Sequence, residues 1–303
     1  MHSWQGTILL FIFRMKRILI DRSGELDVEK DRRELEFIAK HFKPLAPITC
    51  TPVIANHVRA EWITPHGIST ERVILYIHGG SFNSGSINSH RSLAANIAIA
   101  CKACALIIDY RLAPEFPYPA ALEDSLAAYE WLLSNGIPAE QIAVMGDSAG
   151  GTLTLALLLE LRDQDKPLPA AAVCLSPATD MTMSGESWVR NQRKDFMLDL
   201  RNIRTSGEIY LRGVDLRSPL VSPLYADLHG LPPVLIQVGS DEALLSDATR
   251  FVEKAKKAGV PTTLEVWDGM QHVWQYTASF VPEARQAIRN IGEFAERIWD
   301  RQS

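Results

Sequence analysis

Gly146-Asp-Ser-Ala-Gly150 sets one serine between two glycines, directly after the apolar run Ile142–Met145 and before a long apolar stretch. A strand that turns sharply into a helix there holds Ser148 in a strained conformation, its hydroxyl exposed at the helix N-terminus. The glycines permit the turn and keep bulk away from the hydroxyl. The chemistry such a serine offers is attack on a carbonyl carbon. At pH 7 the hydroxyl is a poor nucleophile and needs a base.

In the fold that carries this turn the chain order is serine, acid, histidine. Of eight histidines, His272 lies beyond the next acid at a strand end, in Asp268-Gly-Met-Gln-His272-Val-Trp, just after the strand-like Thr263–Trp267. It is the expected base. The acid should follow the preceding strand, Val234–Val238, which runs into Gly239-Ser-Asp241-Glu-Ala-Leu. Asp241 is the first carboxylate past that strand and is the favoured partner, holding the imidazole tautomer and stabilising the imidazolium. Glu242 and Asp247 compete. Glu242 is expected to point away from its neighbour, and Asp247 falls about two turns into the next helix, where a structural role is expected.

The remaining need is a set of N–H donors for an oxyanion. Val73–Ile77 ends in His78-Gly79-Gly80-Ser81-Phe82. Glycines there let backbone N–H groups approach a substrate oxygen. Gly79, Gly80 and Ser81 are the candidate donors on this loop, with Ala149, next to the serine, as a further one. His78 precedes the serine and is expected beneath the loop as a scaffold hydrogen-bonder.

Strand-like runs at Val73–Ile77, Ala105–Asp109, Ile142–Met145, Ala171–Leu175, Val234–Val238 and Thr263–Trp267 alternate with helical stretches. Those stretches are His90–Ala100, Ala120–Ser134, Ala149–Arg162, Leu244–Ala258 and Pro282–Trp299. Uninterrupted apolar strands suit central parallel strands buried on both faces. The alternation predicts an α/β fold with a mostly parallel sheet flanked by helices. Ligands then bind at the carboxyl ends of the strands, where all the residues above lie. Two regions break the rhythm. Residues 1–45 contain no strand-like run, and Leu26–Phe42 reads as a charged amphipathic helix. Residues 181–215 form a helical insertion, the usual form of a lid or cap.

The 303 residues are 47% hydrophobic and 22% charged, which excludes a disordered or collagen-like chain. A net charge of -5, spread along the sequence, argues against nucleic acid as a partner. Four cysteines are too few for a disulfide scaffold, and Cys101-Lys-Ala-Cys104 opens a buried strand rather than a redox site. A reducing, cytoplasmic setting is the simpler expectation. Ile8–Phe13 is apolar but far shorter than the ~20 residues of a membrane span. It lacks the flanks of a signal peptide and is expected to pack on the body or over a site, so no stable membrane insertion is expected.

Four blocks resemble the hormone-sensitive-lipase-like, bacterial esterase branch of the α/β-hydrolases. They are His78-Gly-Gly-Ser-Phe, Asp109-Tyr-Arg-Leu-Ala-Pro-Glu-Phe-Pro-Tyr-Pro-Ala-Ala-Leu-Glu-Asp124, Gly146-Asp-Ser-Ala-Gly-Gly151, and Asp241 with His272. The likeness covers about residues 45–300. It implies an α/β-hydrolase fold with a helical cap, carboxylester hydrolysis on a small-molecule ester, and no cofactor or metal. It also implies scaffold roles for Asp109, Arg111, Glu115 and Asp124. The family usually has a third glycine where Ser81 stands here, which narrows that corner of the donor loop; the match implies Gly80 and Ser81 as the donors, with Gly79 as fallback.

The expected organisation is an N-terminal cap segment at 1–45, the catalytic domain at 46–180 and 216–303, and a cap insertion at 181–215. Phe82, Met181, Met183, Trp188, Phe196, Met197, Val273 and Trp274 are the expected substrate-facing residues. The charges of the insertion suit a bounded pocket, with an acyl optimum at roughly four to eight carbons, rather than a lipid interface. The last strand, as an exposed edge, is where a homodimer would form. An amidase or acyltransferase on the same triad, or a non-catalytic hydrolase-like receptor, is the alternative.

Overall fold

A computed structural model describes residues 3–6, 26–68 and 71–302. Its centre is an eight-stranded sheet: β1 (Ile48–Ala55), β2 (Val58–Pro65), β3 (Val73–Ile77), β4 (Cys104–Asp109), β5 (Ile142–Asp147), β6 (Ala171–Leu175), β7 (Val234–Gly239) and β8 (Thr262–Trp267). The order across the sheet is β1-β2-β4-β3-β5-β6-β7-β8. β1–β2 and β2–β4 are antiparallel, and every pair from β4 to β8 is parallel. β3, β5, β6 and β7 are buried at every residue, which is why they read as unbroken apolar runs.

The helices are α1 (Val28–Ala39), α2 (Ile87–Cys101), α3 (Ala120–Ser134), α4 (Ala149–Asp163), α5 (Ser187–Arg190), α6 (Leu200–Leu211), α7 (Leu245–Lys257) and α8 (Pro282–Gln302). Successive side chains of a strand point to opposite faces, so each strand feeds two cores. On one face Ile74, Tyr76, Ile107 and Met145 pack with Leu93 and Ile97 of α2 and Ile288 and Ile291 of α8. On the other, Leu75, Ile77, Leu106 and Val144 meet α3 and α4 through Leu132, Leu153 and Leu157. Ile236 and Val238 meet Phe251 and Val252 of α7 on that same side. Burial of this much apolar area, at ~25 cal/mol per Å², is what fixes the strand ends in space.

Two elements went unread in the sequence. β1 and β2 form a hairpin at the sheet edge, turning at Asn56, whose φ is 56°. β1 buries only Ala55, so its residues alternate with solvent and lack the apolar signature of the central strands. The helix expected at Leu26–Phe42 is present as α1, capped by the Asp27 side chain. The expected 181–215 insertion holds α5 and α6, between β6 and β7. Ile8–Phe13 lies outside the described residues. Cys101 is fully buried, where burial pushes its thiol pKa up, and neither it nor Cys104 is in a disulfide. Among the described residues, no helix is long and apolar enough to cross a membrane.

α1 buries no residue. Arg32 ties it to the body. That guanidinium donates to Asn83 O at 2.8 Å and Ala113 O at 3.0 Å, and grips both oxygens of Glu115 at 2.8 and 2.7 Å. Glu36 adds a hydrogen bond from the Ser86 hydroxyl. Arg32→Ala should therefore raise amide hydrogen exchange across residues 28–39 roughly tenfold, about the loss of one charge-assisted hydrogen bond. The sheet amides should stay protected. Equal protection of α1 in the variant would show that the arginine does not hold it.

Candidate active site

β5 ends at Asp147, and α4 begins at Ala149, so the whole reversal falls on Ser148, with φ 52° and ψ -121°. A positive φ with that ψ is costly for a residue with a Cβ. Close packing enforces it. A Cβ on Gly150 would sit 2.0 Å from Ile77 O, and one on Gly146 would sit 2.5 Å from Gly150 O. The Ser148 N–H is anchored on Leu175 O of β6 at 2.8 Å.

His272 follows β8. Its Nε2 lies 2.9 Å from Ser148 Oγ, and its Nδ1 lies 3.1 Å from Glu242 Oε2. Glu242 is fully buried. Its other oxygen accepts the Gly239 N–H at 2.6 Å and the Ser176 hydroxyl at 2.8 Å. The Ser176 oxygen in turn accepts the Val273 N–H at 3.3 Å, tying the acid and the histidine loop together.

The carboxylate against His272 is therefore Glu242, and the expectation of Asp241 is corrected. Asp241 is partly exposed and faces Lys194, its carboxylate 3.6 Å from Nζ. The reason lies in the turn that closes β7. Ser240 N–H bonds to Trp267 O, and Glu242 N–H folds back to Gly239 O. That sends Asp241 outward and brings the next residue back under the strand end. Neighbouring side chains do diverge, as the sequence reasoning held, but it is Asp241 that diverges. Asp247 is buried, accepts from Thr179 N, Asp180 N and Trp188 Nε1, and is pushed up to about 7 by burial. Its place is structural, as expected.

Gly79 cannot offer its N–H to a ligand, because it donates to Asp147 Oδ1 at 3.2 Å. Asp147 also accepts the Tyr76 hydroxyl at 2.8 Å and lies 3.4 Å from His90 Nε2. The loop then turns away at Gly80 (φ 119°) and Ser81 (φ 54°), which line a cavity with Ser148 and His272. Ala149 opens α4, where the first N–H groups of a helix lack intrahelical partners. His78 is buried under this loop, as expected. Its Nδ1 lies 2.7 Å from Gly79 O and its ring stacks on Tyr110, and burial lowers its pKa to about 3, so it stays neutral. Around it, Arg111 clasps Asp124 at 3.0 Å, Glu115 holds Arg32, and Asp109 accepts the Ile87 N–H.

Two chambers meet at Ser148. The larger, about 390 Å³, is lined by the expected Phe196, Met197, Val273 and Trp274. It also takes Leu35, Ile38, Ala39 and Phe42 from α1 and the turn after it. These were missed, because no single residue of that helix is deeply buried and its apolar positions are diluted by charge. The smaller chamber, about 40 Å³, is lined by the expected Phe82, Met181 and Trp188, together with Ala149, Ile203, Ser206 and Gly207. Phe82 is fixed by stacking on Tyr210, ring centres 4.0 Å apart. Met183 lines neither chamber and packs with Trp188, Ala243 and Leu244 instead.

Burial by itself would lower the His272 pKa. The hydrogen bond and charge of Glu242, with the charges of Asp195 and Asp147, outweigh that and raise it above the ordinary 6.5. The ring is thus protonated at pH values where a free histidine is already neutral. Its imidazole resonances should titrate above 6.5 in the NMR spectrum. Glu242→Gln should lower that midpoint by about one unit or more, whereas Asp241→Asn should leave it nearly in place. The reverse ranking would return the acid to Asp241.

A family model for the alpha/beta hydrolase fold matches residues 74–276. An acetyl-hydrolase of Streptomyces hygroscopicus is 46% identical over 273 residues, 90% of each chain. An esterase of Acinetobacter venetianus is 38% identical over 268 residues, 88% of each chain. Among solved structures, an esterase of the bacterial hormone-sensitive lipase family superposes with a TM-score of 0.93 at 43% identity, covering 99% of both chains. The sheet order, the serine turn and these relatives agree: the chain belongs to the α/β-hydrolases, in the hormone-sensitive-lipase-like esterase branch, and is a carboxylesterase-class hydrolase.

Proposed function

We propose that Ser148, His272 and Glu242 form a catalytic triad that cleaves carboxylic esters through an acyl-enzyme. The observation that carries this is the continuous line from Ser148 Oγ through the imidazole to a buried carboxylate, at 2.9 and 3.1 Å. His272 takes the Ser148 proton as Oγ attacks the ester carbonyl. The N–H groups of Gly80, Ser81 and Ala149 stabilise the oxyanion. His272 then protonates the departing alkoxide, and water repeats the cycle on the acyl-enzyme, releasing the acid. Glu242 fixes the imidazole tautomer and stabilises the imidazolium.

The two chambers support an orientation for the ester. The leaving oxygen must lie beside His272 to receive its proton. His272 lines the larger chamber, while the smaller one lies on the Ala149 side of Ser148. The alcohol half then occupies about 390 Å³ and the acyl half about 40 Å³. One water-sized probe needs roughly 10–15 Å³, so the smaller chamber takes about three heavy atoms beyond the carbonyl. That size supports an acyl optimum of about two to four carbons, at or below the short end of the sequence expectation. The acetyl-hydrolase among the relatives is in keeping with a short acyl group.

An organophosphonate should label Ser148 alone, and Ser148→Ala should cut kcat by roughly three orders of magnitude or more. Glu242→Gln should approach that loss, and Asp241→Asn should change kcat little. In a p-nitrophenyl ester series, kcat/KM should peak at about two to four acyl carbons and fall steeply beyond. A peak at palmitate would overturn the short-acyl reading, and faster turnover of an anilide than of the matching ester would overturn the ester assignment.

Among the described residues β8 pairs with β7 alone, and Val266 is left about half exposed. A homodimer through this edge is part of the same reading. Light scattering should report twice the monomer mass at micromolar concentration, and Val266→Lys should halve it. A monomer before substitution would remove this element.

A further inference from the structure

We infer that Asp195 is a positioning residue for the acid and base of the triad, acting through the short cap segment that also walls the substrate chambers. The inference rests on the reading of Ser148, His272 and Glu242 as the triad.

Asp195 is 1% exposed, though it sits in an insertion rich in charge. One of its carboxylate oxygens accepts the N–H groups of Met197 and Leu198, each at 2.9 Å, shaping the segment that lines the chambers. The other accepts the Ala243 N–H at 2.8 Å, directly after Glu242. Two side chains continue the same seam. Asn191 donates to Ser240 O and Glu242 O at 2.9 and 2.8 Å. Gln271, the residue before His272, accepts from Phe196 N at 2.7 Å and donates to Lys194 O at 3.1 Å. One stretch of the insertion is thus bonded to the backbone on both sides of Glu242 and to the neighbour of His272.

A buried carboxylate is expensive unless it is hydrogen-bonded. The N–H groups of its own turn occupy only one oxygen, and the second is turned to the acid loop. Packing alone does not call for a charge there. What the charge supplies is a strong, directed bond at the point where β7 releases Glu242. It also adds to the field on the imidazole. The charged groups acting on His272 are Glu242, Asp195 and Asp147. Asp241 is paired with Lys194, and His90 lies against Asp147.

The test is Asp195→Asn in the full-length protein, with Ser148→Ala and Glu242→Gln beside it. The substituted amide can keep its oxygen on Met197 and Leu198 but presents N–H to the N–H of Ala243. Expected is a fall in kcat of roughly tenfold to a hundredfold with KM little changed, as for a misplaced catalytic group. The acid limb of kcat/KM should also move to lower pH by about half a unit, because a negative charge that favours the imidazolium is gone. A merely structural residue would not move that limb. Asn191→Ala should lower kcat without shifting the limb, since no charge is removed, and it serves as the test if Asp195→Asn does not fold. Wild-type kcat and an unmoved limb in Asp195→Asn, or wild-type kcat in a folded Asn191→Ala, would overturn this assignment while leaving the triad intact. Wild-type turnover in Ser148→Ala or Glu242→Gln would instead remove the triad itself.

Discussion

Everything at this site depends on how closely the end of β3 can approach the turn after β5. The carbonyl of Ile77 lies where a Cβ on Gly150 would be, and it also crowds Gly146. With both positions reduced to hydrogen, the chain reverses on one residue and Ser148 takes the strain. The same approach brings the loop after β3 beside the serine. Asp147, immediately before Ser148, then captures the Gly79 N–H and leaves the next peptides of that loop turned to the cavity. Ser148 and the loop after β3 are thus registered to each other by close backbone packing and by the Asp147 carboxylate on the Gly79 N–H.

Glu242 and His272 arrive from the other side of the sheet by a softer route. β7 and β8 end level, Gly239 directly beside Trp267, so their loops leave together. Ser176, from the end of β6, gives its hydroxyl to Glu242 and receives the Val273 N–H. Hydrogen bonds to a buried carboxylate are strong and directional, and they replace the steric certainty found at the serine. Gly239 is the exception, since a Cβ there would strike Met270 O at 2.0 Å. Its absence lets the two loops close on each other.

The central strands were legible because burial on both faces leaves unbroken apolar runs, and the serine turn because its glycines are spaced by steric need. The β1–β2 hairpin was not, since a half-exposed edge has no such run. Choosing between Asp241 and Glu242 was beyond the sequence for a different reason. Both are carboxylates one residue apart, and the choice is made by a turn whose hydrogen bonds reach back to β7 and across to β8. The α1 wall of the cavity escaped notice because a helix that touches a cavity without being buried keeps a surface composition.

Leu198 lines both chambers, as do Ser81 and Ser148. Ser81 and Ser148 lie where the chambers meet, so Leu198 is the side chain that serves as a party wall. A wall shared by two rooms makes their sizes dependent on each other. Trimming it would widen both at once, and a bulky group pressing on it from one side would narrow the other. Selectivity for the two halves of an ester would then fail to factor into independent preferences: a ranking of acids measured with one alcohol would not carry over to another.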